Sequence, residues 1–324
     1  MPRLCGGLYQ GYTMNVFISG GCGQVGSHVA ELLLARGDFV TVVDNFATGR
    51  PEHLSAHSNL KIIKGSIADM ALLRAIFAET RFDVIVHTAA AYKDPLDWHE
   101  DAMTNSVGGA NLIVLARDLG INRFIYYQTA LCYGVRPMHN PITLEHFRFP
   151  NNSSYSISKT TTEEYLELAG LSYVSFRLAN VVGPRNLSGP LPIFYDRLTR
   201  GKQCFVTKSR RDFVFVKDLA AVTMKAIDGA GQGSYNFSSG TDIPIIDLYN
   251  AVVKELNITP YPEPEIRELN ADDAASILLD PSKTFADFGE VSFTPLEGIV
   301  KAACTYYKQF GVVGGYTHLQ HAQS

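Results

Sequence analysis

The sequence predicts an α/β protein with a doubly wound parallel sheet of the Rossmann type and a smaller C-terminal substrate lobe. Three observations predict this fold. Short apolar runs alternate with amphipathic stretches from Met14 onwards, a glycine-rich turn follows the first run, and the rhythm changes after Asn180. Strands that alternate with helices form parallel βαβ units.

The apolar runs indicate six buried strands, because each is short, rich in β-branched and aromatic residues, and bounded by turn formers. They cover residues 16–19, 39–44, 61–64, 83–87, 124–128 and 173–178. Helices are expected in the gaps. In the first helix, Val25, Val29, Leu32 and Leu33 share one face, and Gly37 can end the helix in a left-handed conformation.

The later composition predicts two interleaved lobes. Residues 181–205 are rich in glycine, proline and arginine, residues 213–239 hold two more strand-like runs, and residues 258–281 are rich in proline and acidic residues. We expect a dinucleotide-binding domain over 14–180, to which 212–239 returns. A substrate-binding lobe is then formed by 181–211 and 240–311. Residues 1–13 and 312–324 have no period, which predicts loose termini.

Composition excludes several classes of protein. The 324 residues are 46% hydrophobic and 19% charged, with a net charge of −4, as in ordinary globular proteins. No apolar stretch is long enough to span a membrane and no basic-then-apolar leader is seen, so we expect a cytoplasmic protein. The absence of a basic run argues against nucleic-acid partners. Five cysteines without paired spacing predict reduced thiols, with neither disulfides nor a metal site.

The turn after the first strand predicts a dinucleotide site. Its three glycines, Gly20, Gly23 and Gly26, allow a tight bend and close backbone approach to a pyrophosphate, and Gln24 and Val25 begin the following helix. Asp44 ends the second strand, where a carboxylate binds ribose hydroxyls and repels a 2′-phosphate. NAD is therefore predicted, although the nearby Arg50 leaves NADP open.

Tyr155 and Lys159 are candidate catalytic residues. With 16 tyrosines and 12 lysines, this spacing arises roughly 0.6 times by chance, so its value lies in placement on one helix face beyond a dinucleotide turn. A phenol needs a pKa shift of roughly 3 units to act as a base near neutrality, and a cation about 4 Å away supplies about that much. Thr129, at the end of a strand, offers a hydroxyl. The alternative is a capping or packing threonine.

Eight motifs in order resemble the extended short-chain dehydrogenase/reductase superfamily, specifically its NAD-dependent nucleotide-sugar epimerases, of which UDP-glucose 4-epimerase is the best known. The resemblance covers most of the chain. The motifs are GGCGQVG, VVDNFATG, HTAA at 87–90, NSVGG at 105–109, TALCYG, YSISK, RLANVVGPR at 177–185 and RDFVFVKDLA at 211–220. The YKDP stretch at 92–95 and QTALCYG resemble bacterial O-antigen cluster epimerases that act on UDP-linked uronic or acetamido sugars.

The resemblance implies roles for particular residues. Thr129 and Tyr155 would flank the reacting sugar carbon, and Lys159, buttressed by Asn105, would hold the nicotinamide ribose. Asp44 with Asn45 would bind the adenosine ribose, and Ala89 would also contact the cofactor. Ser66 stands where the family usually has the aspartate that binds the adenine, so this contact would come from Ser66, Ile67 or Asp69. The substrate contacts would come from Asn180, Arg211, the loop 189–194, Arg267 as the second diphosphate arginine, and Lys93.

Comparison within the superfamily favours epimerisation at carbon 4 through a transient keto sugar. Dehydratases carry an Asp-Glu pair where Ala130 and Leu131 stand, and 3,5-epimerases carry a cysteine at the position of Leu131. Cys132 is one residue late and is interpreted as a buried thiol. The alternatives are a nucleotide-sugar dehydrogenase, reductase or decarboxylase of the same superfamily, or a non-catalytic NAD-binding protein.

The resemblance also implies a homodimer. The stretches 97–119 and 155–168 resemble the two helices through which this superfamily forms two-fold dimers. Ala102, Gly109 and Ala116 are small residues that would allow close helix approach. The alternative is that both helices merely cover their own sheet.

Overall fold

The computed structural model describes residues 13–151, 153–269 and 273–315. Its centre is a parallel seven-stranded sheet with strand order β11-β6-β5-β4-β1-β2-β3. These strands are β1 (Asn15–Ser19), β2 (Phe39–Asp44), β3 (Leu60–Lys64), β4 (Val84–His87), β5 (Arg123–Thr129), β6 (Tyr173–Leu178) and β11 (Gly233–Phe237). The predicted fold class is confirmed, and the six predicted strands agree with the structure to within one residue at each end.

Helices cover both faces of this sheet. Those that pack on the sheet are α1 (Gln24–Arg36), α2 (Met70–Glu79), α4 (Gly108–Asp118), α5 (Ser154–Ala169), α7 (Val216–Ile227) and α9 (Ser282–Phe288). The other helices of the described residues are α3 (Trp98–Asp101), α6 (Pro190–Thr199), α8 (Ile245–Glu255) and α10 (Leu296–Phe310). Alternate residues of β1 enter different cores, because successive side chains of a strand point to opposite faces. Val16 and Ile18 pack with α1 and α7, whereas Phe17 packs with α2, α4 and α5.

The first helix ends as predicted, with Gly37 left-handed at φ 98°. Its predicted apolar face needs one correction. Val29 and Leu33 are fully buried, but Leu32 is 40% exposed, because the helix meets the sheet along the stripe that includes Leu34 instead.

A second lobe packs α6, α8 and α10 around its own apolar core. It also carries the short strands β7 (Asn180–Val182), β8 (Phe205–Thr207), β9 (Arg210–Arg211), β10 (Phe213–Phe215), β12 (Ile243–Pro244), β13 (Glu265–Arg267) and β14 (Ser276–Ile277). The segment between the two parts of this lobe is shared. Strand β10 pairs with β7, whereas α7 packs in the core beside α1 and β11 forms the edge of the large sheet.

The predicted helix over 97–119 is interrupted. A π-helical segment, Ala102–Val107, separates α3 from α4. The small residues expected to approach a partner subunit mostly serve this chain itself. A Cβ atom at Gly109 would collide with Thr162 of α5, and Ala116 is fully buried in the core. Packing of α4 against α5 and against the sheet accounts for both residues.

The remaining sequence expectations concern membranes, cysteines and termini. Within the described residues no helix has the length and apolar character needed to cross a membrane. Cys22, Cys132, Cys204 and Cys304 are buried free thiols, whereas Cys5 lies outside the described residues. Residues 1–12 and 316–324, most of the two termini expected to be loose, also lie outside them.

Candidate active site

A cleft of about 370 Å³ opens at the carboxyl ends of β1, β2 and β4. This volume is in the range of ligand sites, and the place is where doubly wound sheets bind nucleotides. Most of the predicted cofactor residues line it, namely Gly20, Gly23, Gln24, Val25, Asp44, Asn45, Ser66, Ile67 and Ala89. Lys93 lines it as well, whereas Arg50 is not part of the lining.

The glycine turn has the geometry of a phosphate-binding loop. Gly20 adopts a positive φ of 69°, and the N–H of Gly23 donates to its carbonyl at 3.0 Å. A Cβ atom at Gly26 would lie 2.5 Å from the Gly20 carbonyl oxygen and 2.6 Å from Thr88 Oγ1. Only glycine lets α1 begin this close to the strand. The turn therefore presents a helix N-terminus to the cleft without side chains in the way.

Gln24, the first residue of α1, carries an unpaired donor. Its Nε2 atom is buried without a hydrogen-bond partner among the described residues, and its Oε1 accepts from Asn186 at 3.4 Å. A buried unpaired donor is costly unless a ligand satisfies it. A phosphate oxygen in the cleft would do so, which is how the site fits a dinucleotide.

Asp44 closes the other end of the cleft. Its two carboxylate oxygens accept from the N–H groups of Cys22 at 2.9 Å and Phe46 at 2.8 Å. Burial raises the pKa of Asp44, and these two hydrogen bonds oppose the rise. A carboxylate can accept about four hydrogen bonds, so ribose hydroxyls can still be bound.

The predicted catalytic side chains do come together. Tyr155 and Lys159 are one turn apart on α5, and the Tyr155 phenol interacts with the Thr129 hydroxyl at the end of β5, which opposes the rise of the Tyr155 pKa. Thr129 also caps the short 3₁₀ turn Ala130–Tyr133 by accepting from the Leu131 N–H at 3.2 Å. Thr129 is therefore a capping residue that also lies beside Tyr155, and its catalytic role stays a prediction.

Lys159 is not among the groups that shift the pKa of Tyr155 in this structure, so its expected effect on Tyr155 stays a prediction for the NAD-bound protein. Burial raises the pKa of Tyr155, Tyr92 and Asp101 add to the rise, and only the hydrogen bond with Thr129 opposes it. Lys159 is 2% exposed, and its Nζ lies 4.3 Å from the centre of the Tyr126 ring. Burial lowers the pKa of Lys159 to about 7, so only part of the Lys159 population is protonated near pH 7.

The side chain of Asn105, expected to support Lys159, makes its hydrogen bonds within the described residues to Ala91 and Ser158. Its Nδ2 donates to the Ala91 carbonyl at 2.9 Å and to Ser158 Oγ at 3.0 Å, and its Oδ1 accepts from the Ala91 N–H at 2.9 Å. The side chain, on the π-helical segment, thus ties the loop after β4 to α5. It positions the neighbour of Lys159 rather than Lys159 itself.

Tyr92 is a site residue that the sequence reasoning missed. Its ring centre lies 5.7 Å from that of Tyr155, and both rings line a small cavity that shares Tyr92, Asp94 and Asp101 with the cleft. No spacing rule singles out Tyr92, because it reaches Tyr155 only through the packing of the loop after β4 against α5.

The expected substrate residues lie in the second lobe or at its border. Asn180 is exposed at the start of β7, and Arg211 on β9 forms an ion pair with Asp273. Arg267 lies in a different small sheet, on the exposed strand β13, where it donates to Glu265 at 2.9 Å and stacks over the Phe205 ring. The structure therefore does not bring Arg267 to the cleft, whose lining contains none of these three residues.

Comparison with known proteins places the chain among enzymes of one kind. Residues 16–237 match the protein family described as NAD dependent epimerase/dehydratase. The Bordetella bronchiseptica enzyme WbmH, solved in complex with NAD+, is similar with a TM-score of 0.91 and 60% identity, over 93% of this chain and all of that one.

Two further relatives show how widely the similarity extends. The Bordetella bronchiseptica enzyme WbmG, solved with NAD and UDP, has a TM-score of 0.88 and 38% identity over 95% of this chain and 99% of that one. The UDP-glucose 4-epimerase of Halalkalibacterium halodurans is 27% identical over 336 aligned positions, which cover 91% of this chain and 96% of the relative.

Proposed function

Since the chain belongs to the NAD dependent epimerase/dehydratase family, we propose that it is an enzyme that uses NAD to epimerise a UDP-linked sugar at carbon 4 through a transient keto sugar. The observation that carries the proposal is Tyr155, which lines the small cavity beside the dinucleotide cleft and whose phenol interacts with the Thr129 hydroxyl. The solved complexes of WbmH with NAD+ and of WbmG with NAD and UDP support the two ligands.

The cleft residues fit NAD. The turn Gly20–Gly26 and the unpaired Nε2 of Gln24 would hold the pyrophosphate. Asp44 would bind the adenosine ribose, and Ser66 and Ile67 would contact the adenine. When bound, the nicotinamide supplies a hydride acceptor that later returns the hydride to the sugar.

The chain's own residues handle the proton. Tyr155 takes the proton of the reacting hydroxyl, and the Thr129 hydroxyl, which interacts with the phenol, helps to orient it. Lys159 supplies positive charge one turn along α5, on the side of the Tyr126 ring. Because the pKa of Tyr155 is raised here, the phenol loses its proton only where positive charge is brought near it.

Elimination chemistry is not supported by the residues after Thr129. Ala130 is buried and apolar, and Leu131 carries no acid or base. Cys132 is fully buried, and burial together with the nearby Glu163 raises the pKa of its thiol. Residues 130–132 therefore supply no acid and base pair for proton exchange at a second sugar carbon, which favours epimerisation over dehydration.

Most of the affinity for the substrate would come from contacts with its diphosphate. The keto sugar must turn its other face to the nicotinamide, and a tightly bound sugar ring could not do so. Arg211 and Asn180 border the second lobe, and the guanidinium of Arg211 would exchange Asp273 for a phosphate. Lys93 at the cleft would meet the sugar, and Arg267 stays a proposed diphosphate ligand that must move to act. A role in O-antigen sugar synthesis is also part of the proposal, and it rests on the resemblance of the YKDP and QTALCYG stretches.

A homodimer is part of the proposal. Helix α5 and the segment before α4 expose apolar side chains, with Val107 40%, Ile157 53% and Leu168 82% exposed. A partner copy would cover them, since such exposed apolar groups mark interaction sites when they are contiguous. Light scattering at micromolar concentration that shows only a 35.6 kDa species would contradict the dimer.

The test of the proposed function uses the purified protein as isolated. It is incubated with UDP-glucose, UDP-N-acetylglucosamine and UDP-glucuronate in separate reactions, and products are identified by proton NMR. We expect one of these sugars to be converted to its 4-epimer without added NAD. Stoichiometric accumulation of NADH, loss of carbon dioxide or loss of water would each contradict epimerisation.

A further inference from the structure

Glu163 on α5 is a fully buried carboxylate that receives hydrogen bonds from three strands and a loop. Its Oε1 accepts from Ser175 Oγ at 2.6 Å, from Ser234 Oγ at 3.0 Å and from Arg177 Nε at 3.1 Å. Its Oε2 accepts from Arg177 Nε and Arg148 Nη1, both at 3.2 Å, and from Gln128 Nε2 at 3.4 Å. Neither the proton transfer nor the cleft described above uses this group.

One arm of the network reaches Thr129. Gln128 is 1% exposed, and its Oε1 accepts from the Thr129 N–H at 2.8 Å while its Nε2 donates to Glu163. The Thr129 hydroxyl in turn interacts with the Tyr155 phenol and opposes the rise of its pKa. Glu163 therefore fixes the Gln128 amide, which in turn holds the backbone of Thr129. These contacts begin at Glu163 and end at Tyr155, and both residues lie on α5.

A second arm reaches Lys159 through charge. Glu163 lies one turn after Lys159 on the same face of α5, the spacing at which side chains on a helix interact. Two other groups near the ammonium are the Tyr126 ring on β5 and His87 on β4, and burial and the Lys159 charge lower the pKa of the His87 imidazole. Burial lowers the pKa of Lys159, and Glu163 opposes that effect.

The carboxylate can play this part because it stays ionised. Burial raises the pKa of Glu163, but Arg177, Ser175 and Arg148 outweigh burial and leave the pKa below its usual value. Arg148 also pairs with Glu167 at 2.7 Å, and Arg177 Nη1 donates to Tyr133 at 2.7 Å. Arg148 and Arg177 thus each bind a second partner as well, and no single arginine neutralises the charge of the Glu163 carboxylate.

We propose that Glu163 is a positioning residue for the reaction, which holds Thr129 in place through Gln128 and balances the charge of the buried Lys159 ammonium. Its role in turnover rests on the proposed function, whereas its effect on Lys159 does not. The competing view is a buried ion pair with Arg177 that only stabilises the fold.

The test replaces Glu163 by glutamine, which keeps the size and removes the charge. The titration of Lys159 is followed by ¹³C NMR of its Cε in protein labelled on lysine, without cofactor or substrate, and Lys159→Arg assigns the signal. We expect the midpoint, about 7 in the unchanged protein, to fall by about one unit. At pH 7 the protonated fraction then falls about five-fold, and kcat falls similarly while KM stays within about two-fold.

Two further variants keep the test decisive. Asp38→Asn is the control, because Asp38 is also a buried carboxylate that accepts from an arginine, Arg36 Nε at 2.7 Å. Asp38 lies at the amino end of the sheet, so this change should leave the Lys159 midpoint unchanged. If Glu163→Gln does not fold, the double variant Glu163→Gln/Arg177→Met removes both charges together, which is far better tolerated than an unpaired charge. The same lowered midpoint is expected.

An unchanged Lys159 midpoint in a folded Glu163 variant overturns the proposal, as does full recovery of the midpoint and of kcat in the double variant. Failure of the proposed function is a separate result. In that case no sugar is epimerised by the unchanged protein, and the Lys159 titration still reports on Glu163.

Discussion

Gly26→Ala tests the dinucleotide turn with a single methyl group. The added Cβ would lie 2.5 Å from the Gly20 carbonyl oxygen, 2.6 Å from Thr88 Oγ1 and 2.7 Å from Gly21 Cα. Ordinary carbon contacts begin near about 3.5 Å, so the start of α1 must move away by about 1 Å. Two of the three contacts are with backbone atoms, which cannot move aside as a flexible side chain would.

The expected cost follows from this displacement. Overpacking of this kind costs about 1–3 kcal/mol, while alanine in a helix gains about 1 kcal/mol over glycine, so stability should fall by about 0–2 kcal/mol. Binding should suffer more. Loss of one charge-assisted hydrogen bond between the turn and a phosphate costs about 1.5–3 kcal/mol, which weakens NAD binding by about 10- to 150-fold.

The control is Gly298→Ala. Gly298 is the third residue of α10 as Gly26 is the third residue of α1, but its Cβ would meet only Thr294 Cγ2, at 3.0 Å. It should keep wild-type affinity, measured by isothermal titration calorimetry on protein stripped of nucleotide. The account of the turn is refuted if Gly26→Ala binds NAD within about two-fold of the unchanged protein and is as stable as Gly298→Ala.

Three other predictions address the catalytic base, the diphosphate and the pH dependence of stability. Tyr155→Phe should retain NAD binding by calorimetry but lose about 10²- to 10⁴-fold in kcat, and a loss of only a few-fold would remove Tyr155 as the base. Arg211→Gln should weaken UDP binding at least about ten-fold through loss of a charge-assisted bond, whereas the exposed neighbour change Arg210→Gln should not; equal effects would contradict the assignment. Burial lowers the pKa of His28 to about 4 from the 6.5 of an exposed histidine, so its stabilising effect is present above about pH 6.5 and is lost as the pH falls toward 4. The free energy of unfolding, measured by urea titrations, should therefore fall between pH 7 and pH 5 by about 2 kcal/mol less in His28→Gln than in the unchanged protein. His99 is exposed, so His99→Gln is the control, and an equal change in that variant would refute the prediction.

The features that could be predicted from the sequence are those set by neighbours along the chain. Gly20, Gly23 and Gly26 act within one turn, and Tyr155 and Lys159 lie one helical turn apart, so spacing alone locates both features. The strands follow from short apolar runs in the same way. The predicted boundaries of 39–44 and 173–178 match those of the structure.

The features that could not be predicted depend on contacts between distant segments. Arg211 meets Asp273, 62 residues later, and Gly109 serves contact with Thr162 rather than with another subunit. The pKa of Lys159 is lowered by burial that only the packed core creates. No local pattern contains this information, so the role of each of these residues becomes visible only in the structure.

The most direct test of the central claim follows the hydrogen at carbon 4. The accepted UDP-sugar is synthesised with deuterium at that carbon and converted by the purified protein in ordinary water without added NAD. The account predicts that the 4-epimer retains the deuterium at carbon 4, because the same hydride is removed and returned. Replacement of the deuterium by solvent hydrogen would contradict the account.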